Sequence, residues 1–170
     1  MVESFIIRDA VIADIPALAT LHVKTWNETH GKSNHSPIYQ VRESQWRQTF
    51  GDNDSIWFCL VIENNNKQLI GFAKGMKYDH SDLPGYSGEL NKIYLLREYQ
   101  RLGLGRRLIG HVARHFLSLG IHSMVLFGTA QNPSCAFYEA LGGQRLYGKK
   151  GEFNGGYGWK YLQYLASIPA

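Results

Sequence analysis

The chain has 170 residues, of which 44% are apolar and 19% are charged, and its formal net charge is +4. This composition is ordinary for a soluble globular protein, and the length predicts a single domain over residues 1–170. Because Lys and Arg are scattered and no stretch approaches the ~20 apolar residues of a membrane span, we expect neither a nucleic-acid partner nor a membrane.

The N-terminal segment predicts a strand followed by a helix. The strand covers residues 4–10 and the helix residues 13–26, with Asp14 as the expected N-cap and Pro16 in the first turn. Helical spacing gives one side of this helix, which consists of Leu18, Leu21, His22, Thr25 and Trp26.

A loop over residues 30–39 and a second helix over residues 40–50 come next. Two strands follow, over residues 55–63 and 68–78. The turn residues 64–67 between them are typical of a β-hairpin.

The second half of the chain begins with a loop rich in turn formers over residues 79–88. The predicted elements after it are a strand over 88–96, a helix over 104–120, a strand over 121–127, a helix over 133–143, and strands over 144–150 and 157–165 with a glycine-rich turn between them. This order predicts a mixed α/β sheet with an antiparallel first half and a parallel strand pair where a helix crosses between strands.

The cysteines and the N-terminus indicate the cellular compartment. Only Cys59 and Cys135 occur, each in an apolar segment, and Glu3 stands where a signal peptide carries basic residues. We therefore expect buried thiols and a cytoplasmic location.

The loop between the strand over 88–96 and the next helix is basic and rich in glycine. A helix N-terminus attracts anions, and Gly103 and Gly105 let the backbone approach phosphate oxygens, while Arg101, Arg106 and Arg107 add charge. The loop matches neither the Walker A nor the Rossmann pattern. Taken alone, it fits a turn with solvated arginines about as well as a phosphate site.

Two spaced motifs make the chain resemble the GNAT N-acetyltransferase superfamily, which binds acetyl-CoA. Gln100, Gly103 and Gly105 match its Gln/Arg-x-x-Gly-x-Gly/Ala signature at the start of a helix. The second signature, an Asn and a helix that carries Tyr and ends in Leu-Gly, is matched by Asn132, Tyr138, Leu141 and Gly142. The resemblance runs from about Ile6 to Leu165. It implies a central, mostly antiparallel sheet with a splayed parallel strand pair and helices on both faces.

The resemblance also implies the cofactor contacts. Backbone groups of Ile93, Tyr94 and Leu95 would hydrogen-bond the pantetheine arm, and Asn132 would bond it from the opposite side. A helix cap before Pro133 is the alternative role for Asn132. The residues expected to hold the pyrophosphate are those of the glycine loop, Gln100, Arg101, Leu102, Gly103, Leu104, Gly105 and Arg106.

Tyr138 and Glu89 are the candidate catalytic residues. Tyr138 would lie close to the thioester sulfur and protonate the leaving thiolate; the alternative is a core aromatic. Glu89 would act as general base and shares a strand face with Asn91, Ile93 and Leu95. It could instead face solvent or bind a cationic substrate. The competing bases in the preceding loop are Asp79, His80 and Asp82.

Two further groups of residues bear on the site. His111 and His115 have zinc-ligand spacing, but the helix is expected to bury Leu108, Val112, Phe116 and Leu119, which puts the histidines on a solvated side. We therefore expect no metal. In the family, the first helix and its loop line the acceptor side, which here contains Trp26, Thr29, His30 and Tyr39.

The resemblance implies direct transfer of an acetyl group from acetyl-CoA to a primary amine in a ternary complex. The acceptor could be a small metabolite, a polyamine or a peptide amine. A catalytically silent acetyl-CoA sensor or scaffold is one alternative, and a nucleotide-phosphate binder is another. Many relatives pair as dimers, so a homodimer is compatible with the sequence but not required by it.

Overall fold

The computed structural model describes residues 2–170, which form a mixed α/β structure. The strands are β1 (Ile6–Asp9), β2 (Trp57–Glu63), β3 (Leu69–Lys77), β4 (Gly88–Leu95), β5 (Met124–Leu126), β6 (Gln144–Tyr147) and β7 (Phe153–Trp159). The helices are α1 (Ile15–His30), α2 (Tyr39–Phe50), α3 (Leu104–Ser118), α4 (Cys135–Ala140) and α5 (Gln163–Ala166).

The seven strands form one sheet in the order β1-β2-β3-β4-β5-β7-β6. The sheet is mostly antiparallel, and β4 and β5, which α3 connects, are its parallel pair. The prediction of a mixed sheet with a parallel pair at a helical crossover is confirmed. The β4–β5 ladder pairs Gly88 with Met124 and Glu89 with Val125, so it covers only the first two residues of β4.

The chain divides into two compact units. Unit 1 contains the N-terminal part through Lys74 together with Lys92–Leu108, and unit 2 contains Gly75–Asn91 and Ile109–Ala170. Each is described by itself below. The expectation of a single domain stays a prediction.

The core of unit 1 lies where α1 packs against β3. Leu18 and Phe72 are fully buried, and Leu21, His22 and Thr25 are buried with them, as helical spacing predicts. Burying a side chain of this size stabilises the fold by about 1.5–3 kcal/mol. Trp26, the last member of the predicted side, is only half-buried.

Asp14 connects the start of α1 to β1 through Arg8, a contact that the sequence did not indicate. It occupies the N-cap position but makes no side-chain capping bond to α1. Its carboxylate instead binds Arg8 through two hydrogen bonds of 2.8 and 2.9 Å and accepts one from the Val11 N–H at 2.8 Å. Arg8 lowers the pKa of Asp14 and also contacts Glu63 at 2.9 Å. The prediction of Asp14 as the N-cap residue is confirmed, but its carboxylate binds the Arg8 fork, which is a stronger partner than a backbone N–H of α1.

In unit 2, a close backbone contact fixes the loop that follows β5. Gly155 in β7 has φ +92°, and a Cβ there would lie 2.3 Å from the Thr129 carbonyl carbon. Only glycine fits such an approach. The glycines predicted as a turn therefore belong in part to β7, which begins at Phe153.

The predicted strand over residues 157–165 is wrong in its second half. β7 ends at Trp159, and Gln163–Ala166 form α5. Within residues 160–168, the buried residues are Leu162, Leu165 and Ile168, and their spacing of three is that of a helix. The bulky residues between them favour a strand, which is why the helix was not predicted.

Three other features complete the comparison with the sequence. Cys59 is buried as expected, whereas Cys135 is only half-buried. Leu119 was expected in the core and is 44% exposed, because α3 ends one residue before it. Over residues 2–170, every helix is too short or too polar to cross a bilayer.

Candidate active site

The basic glycine loop of unit 1 has an unusual backbone. α3 begins at Leu104, where the sequence places it, and the Arg107 N–H donates to the Gly103 carbonyl at 3.1 Å. Both Gly103, with φ +79°, and Arg101, with φ +63°, adopt the left-handed conformation. For a residue with a side chain this conformation costs about 1–3 kcal/mol, and it is found in turns and at ligand-binding sites.

Gln100 ties this loop to the end of β4. Its Nε2 donates to the Leu95 carbonyl at 3.0 Å, and the Leu96 N–H donates to the Ile70 carbonyl at 3.0 Å. The side chain of Gln100 therefore positions the loop against the strand.

The arginines of the loop differ in their surroundings. Arg101 and Arg106 are exposed, as is Leu102 between them. Arg107 was expected to add charge at the same point, but its guanidinium donates to the Phe5 carbonyl at 3.4 Å. Two arginines, rather than three, remain open to an anion at this loop.

The end of β4 carries the three predicted backbone contacts. Ile93, Tyr94 and Leu95 are half-buried and lie beyond the two residues that β4 pairs with β5. The Tyr94 ring packs on Phe72 at 5.6 Å and on His22 at 5.8 Å between ring centroids. Burial raises the pKa of the Tyr94 hydroxyl. Unit 1 thus brings the strand end and the glycine loop together.

His22 is a buried polar residue in unit 1 that the sequence marked only as part of a helix side. It is 2% exposed, and its Nδ1 accepts a hydrogen bond from Trp46 Nε1 at 3.1 Å. Burial, followed by the charges of Arg42, Lys92 and Lys74, lowers the pKa of His22 to about 3. The imidazole is therefore neutral at physiological pH.

The other residues predicted near the acceptor have local partners. The rings of Trp26 and His30 lie 4.6 Å apart, and Thr29 Oγ1 donates to the Thr25 carbonyl at 2.9 Å. The Tyr39 hydroxyl donates to Glu43 at 2.7 Å.

In unit 2, Tyr138 lies on α4 and is 6% exposed. Its ring centroid is 5.7 Å from that of Tyr157 and 6.4 Å from that of Trp159, both on β7. Trp159 Nε1 donates to the Leu141 carbonyl at 3.1 Å, which fixes the end of α4. Tyr138 is thus held in an aromatic setting, compatible with either role that the sequence left open.

Tyr157 is a second buried tyrosine that sequence reasoning missed. Its side chain is fully buried, and its hydroxyl has no hydrogen-bond partner within residues 2–170. Burial, with the nearby Cys135 thiol, raises the pKa of Tyr157 to about 12. It lies in a glycine-rich run, so no local signal distinguished it from a structural aromatic.

Glu89 begins the central strand as predicted. Its Oε2 accepts a hydrogen bond from Asn91 Nδ2 at 2.7 Å, which confirms that the two side chains share a face. The Tyr78 hydroxyl donates to Asp82 at 2.7 Å. Burial, then Asp82 and then Glu89 raise the pKa of Tyr78 to about 12.

The other two competing bases are also engaged in unit 2. Asp79 pairs with Lys77 at 3.4 Å, and the His80 ring packs on Tyr78 at 5.1 Å. Glu89 is therefore the candidate whose carboxylate is held by a neutral amide.

Asn132 makes a local hydrogen bond but is not the N-cap of α4, which is Ser134. Its Oδ1 accepts a hydrogen bond from the Ser134 N–H at 2.9 Å, just before α4. The amide nitrogen is the end of the side chain that can donate to a ligand.

The histidines of α3 are half-buried rather than solvated. No group of three or more His, Cys, Asp or Glu residues could hold a metal ion in the described chain, residues 2–170.

Comparison with known proteins agrees with this architecture. The family model described as "Acetyltransferase (GNAT) family" matches residues 15–143. A Bacillus subtilis protein described as the uncharacterized N-acetyltransferase YuaI is 32% identical over 173 residues, covering 95% of this chain and 96% of that protein.

Two solved structures have a similar fold. The PaiA N-acetyltransferase of Thermoplasma acidophilum, in complex with coenzyme A, has a TM-score of 0.68 and 21% identity, covering 93% of this chain and 99% of that one. The acetyltransferase yncA of Salmonella typhimurium, with acetyl-CoA, has a TM-score of 0.66 and 22% identity, covering 94% of each chain.

Proposed function

Because the chain belongs to the GNAT family of acetyltransferases, we propose that it moves an acetyl group from acetyl-CoA to a primary amine by direct attack within a ternary complex. The observation that carries this proposal is the left-handed backbone at Arg101 and Gly103, directly before α3. Successive N–H groups in such a turn form a concave anion site, which fits the diphosphate of a CoA thioester.

The proposed cofactor contacts follow from that site. Arg101 and Arg106 are exposed and add positive charge beside the backbone N–H groups from Arg101 to Gly105, whereas the Gln100 N–H donates to the Arg97 carbonyl. Ile93, Tyr94 and Leu95 lie beyond the β4–β5 ladder, and those of their backbone groups that point away from β3 would bind the pantetheine amides as a further strand does. Asn132 would donate a hydrogen bond to the pantetheine arm through its amide nitrogen. The two related structures named above contain CoA or acetyl-CoA, which supports the choice of cofactor.

Tyr138 is the proposed general acid. Transfer of the acetyl group breaks the carbon–sulfur bond and leaves a thiolate, which a phenol can protonate. The buried aromatic setting of Tyr138 limits competing water, so a proton supplied there goes to the leaving group.

Glu89 is the proposed general base. An amine with a pKa near 10.4 is uncharged at pH 7 in only about one molecule in a few thousand. A carboxylate that accepts the amine proton, directly or through a water molecule, makes the lone pair available. The hydrogen bond from Asn91 fixes the orientation of Glu89 for this task.

The experiment that tests this function is a thiol-release assay with acetyl-CoA and a broad panel of primary amines. We expect free thiol to appear above the blank for at least one amine, together with an acetylated product detected by mass spectrometry. Binding of CoA without thiol release across the panel would favour the sensor or scaffold instead.

A further inference from the structure

A short turn connects the end of β4 to the glycine loop within unit 1. It is the 3₁₀ helix Arg97–Tyr99. The Tyr99 N–H donates to the Leu96 carbonyl at 2.9 Å, and the Gln100 N–H donates to the Arg97 carbonyl at 3.1 Å. Arg101, whose left-handed backbone helps to form the proposed anion site, comes directly after Gln100. The conformation of this turn therefore decides where the glycine loop begins.

The turn and the end of α1 satisfy each other's free backbone groups. The Arg97 N–H is the first of the turn, so it has no acceptor within the turn, and it donates to Oε1 of the Glu28 carboxylate at 3.0 Å. In the opposite direction, the Arg97 guanidinium donates to the Glu28 carbonyl. That carbonyl lies in the last turn of α1, where the helix supplies no N–H of its own. We call these two hydrogen bonds the Glu28–Arg97 brace.

A second contact between α1 and the turn is weaker. Lys24 Nζ lies 4.0 Å from Glu98 Oε1, and both side chains are more than half exposed, at 57% and 67%. An exposed ion pair of this length contributes little to stability. Glu28, in contrast, is half-buried, and each of its two hydrogen bonds with Arg97 includes a backbone group. The Glu28–Arg97 brace is therefore the stronger of the two contacts.

The other end of the turn is anchored by Tyr99. Its ring packs edge-on against Phe5 with 5.8 Å between ring centroids, and its hydroxyl accepts a hydrogen bond from Asn64 Nδ2 at 3.2 Å. These contacts fix the last residue of the turn, whereas the brace fixes the first. We therefore expect loss of the brace to loosen the turn without unfolding unit 1.

Arg101 is the reason that the glycine loop needs such support. A left-handed backbone at a residue with a side chain costs free energy, which neighbouring contacts must offset. Gln100 provides one contact, because its Nε2 donates to the Leu95 carbonyl at 3.0 Å. The backbone N–H of Gln100 donates to Arg97, the residue that the brace fixes. A continuous chain of hydrogen bonds thus runs from α1 to the residue before Arg101.

We propose that Glu28 is a positioning residue for the cofactor, because through Arg97 it holds the glycine loop in the conformation that binds the diphosphate of acetyl-CoA. This inference rests on the proposed function for the identity of the ligand. When only a fraction of the protein molecules have the binding conformation, the apparent affinity falls by that fraction. Loss of the brace should therefore raise the dissociation constant for CoA and leave the chemical step unchanged.

The test removes the brace from the side of Glu28. Glu28→Ala deletes the acceptor of the Arg97 N–H and keeps α1 intact, since alanine favours helices. Calorimetry should show that the dissociation constant for CoA rises about 5- to 10-fold, the size of one hydrogen bond. At saturating acetyl-CoA, kcat should stay within about twofold of the wild-type value, because the transition state gains no contact from the brace.

The direction of the effect separates the brace from a simple effect of charge. Glu28→Ala removes a negative charge, which by itself would strengthen the binding of an anionic ligand. Glu28→Gln removes the same charge but keeps an oxygen that can accept the Arg97 N–H, so it should bind CoA at least as tightly as the wild type. Lys24→Gln breaks the exposed ion pair with the same turn and is the matched control, with an expected change of less than about twofold.

A double-mutant cycle tests the link to Arg101. Glycine adopts the left-handed backbone without the cost, so the loop of an Arg101→Gly variant needs less support. That substitution also removes a charge and weakens CoA binding, but the cycle subtracts this effect. In the Arg101→Gly background, the further loss caused by Glu28→Ala should shrink to about twofold or less. An undiminished loss would overturn the inference.

Hydrogen exchange in the ligand-free protein tests the brace without any cofactor. In Glu28→Ala, the N–H groups of Tyr99 and Gln100 should exchange about 5- to 10-fold faster than in the wild type, because the turn opens more often. Lys24→Gln should leave both exchange rates unchanged.

The outcomes separate this inference from the proposed function. A CoA affinity in Glu28→Ala equal to or higher than that of the wild type, or a loss that Glu28→Gln shares in full, would overturn the inference and leave the acetyltransferase proposal intact. If the wild type binds no CoA, the proposed function fails and hydrogen exchange decides. Faster exchange in Glu28→Ala would then support the brace, and unchanged exchange would overturn it.

Discussion

At the scale of single residues, three buried polar side chains have different settings. Tyr138 is buried beside Tyr157, whose hydroxyl lacks a partner within residues 2–170, and His22 is buried in a separate cluster of unit 1. The motif spacing identified Tyr138 as a candidate, because an Asn and a Tyr at fixed distances are visible in one sequence. The burial of Tyr157 and the contact of His22 with Trp46 depend on distant segments of the chain, which one sequence does not show.

The first prediction concerns Tyr138. Replacement by Phe keeps the ring contacts with Tyr157 and Trp159 but removes the proton donor. We expect kcat to fall by about 100- to 1,000-fold, within the usual range for general acid catalysis, while the affinity for CoA changes little. Steady-state kinetics and calorimetry measure the two quantities. Tyr147→Phe, at an exposed tyrosine, is the control, and equal losses of kcat and CoA affinity in Tyr138→Phe would remove Tyr138 from the acid role.

The second prediction concerns His22 and pH. Its pKa is about 3 in the folded protein, against an ordinary value of 6.5, so the unfolded chain binds more protons between these limits. The stability that His22 contributes is therefore complete above pH 6.5 and falls by about 1.4 kcal/mol per unit as the pH drops below it.

Urea unfolding at pH 7 and pH 5 tests this dependence. His22→Gln keeps an acceptor for Trp46 Nε1 and cannot titrate, so its free energy of unfolding should fall less than that of the wild type between the two pH values. Identical decreases in both proteins would show that His22 does not titrate in this way.

At the scale of elements, the start of α3 was predicted correctly and the end of the chain was not. The helix after the glycine loop begins at the predicted residue, Leu104, because a basic glycine loop followed by helical spacing is a clear local signal. The end of the chain was assigned to a strand because its bulky residues favour strands, whereas burial of Leu162 and Leu165 selects a helix. How far β4 extends beyond its pairing with β5 depends on both strands. It could therefore not be predicted from the sequence of either strand alone.

The third prediction tests the backbone contact that fixes the loop after β5. Gly155→Ala would place a Cβ 2.3–2.6 Å from the backbone of Thr129 and would require a left-handed alanine. We expect a loss of about 2–4 kcal/mol in the free energy of unfolding, because the clash adds to the conformational cost.

Gly151→Ala provides the control for the third prediction. Gly151 has φ +78°, but a Cβ there would meet nothing within 4 Å. Gly151→Ala should lower the free energy of unfolding by only about 1 kcal/mol, which is the conformational cost alone. Urea unfolding of both variants gives the comparison, and equal losses would mean that the Thr129 contact contributes nothing.

At the scale of the whole molecule, the chain is mildly basic and offers an anionic cofactor two exposed arginines at one loop. The composition predicted a globular protein but could not select its ligand. The family shows that the reaction is acetyl transfer.

The fourth prediction concerns global stability. A ligand at about 100 times its dissociation constant stabilises the folded state by about 2.7 kcal/mol. For a protein of this size, acetyl-CoA should then raise Tm by about 5–10 °C, measured by a thermal shift assay. ATP at the same concentration should produce a clearly smaller shift, and an equal shift with ATP would favour a nucleotide-phosphate site.

The most direct measurement is a crystal structure of the protein with acetyl-CoA at saturating concentration. We predict that the diphosphate oxygens accept hydrogen bonds from the backbone N–H groups of the loop that contains Gly103 and Gly105. A diphosphate bound elsewhere on the protein, with this loop in contact only with solvent, would contradict the account.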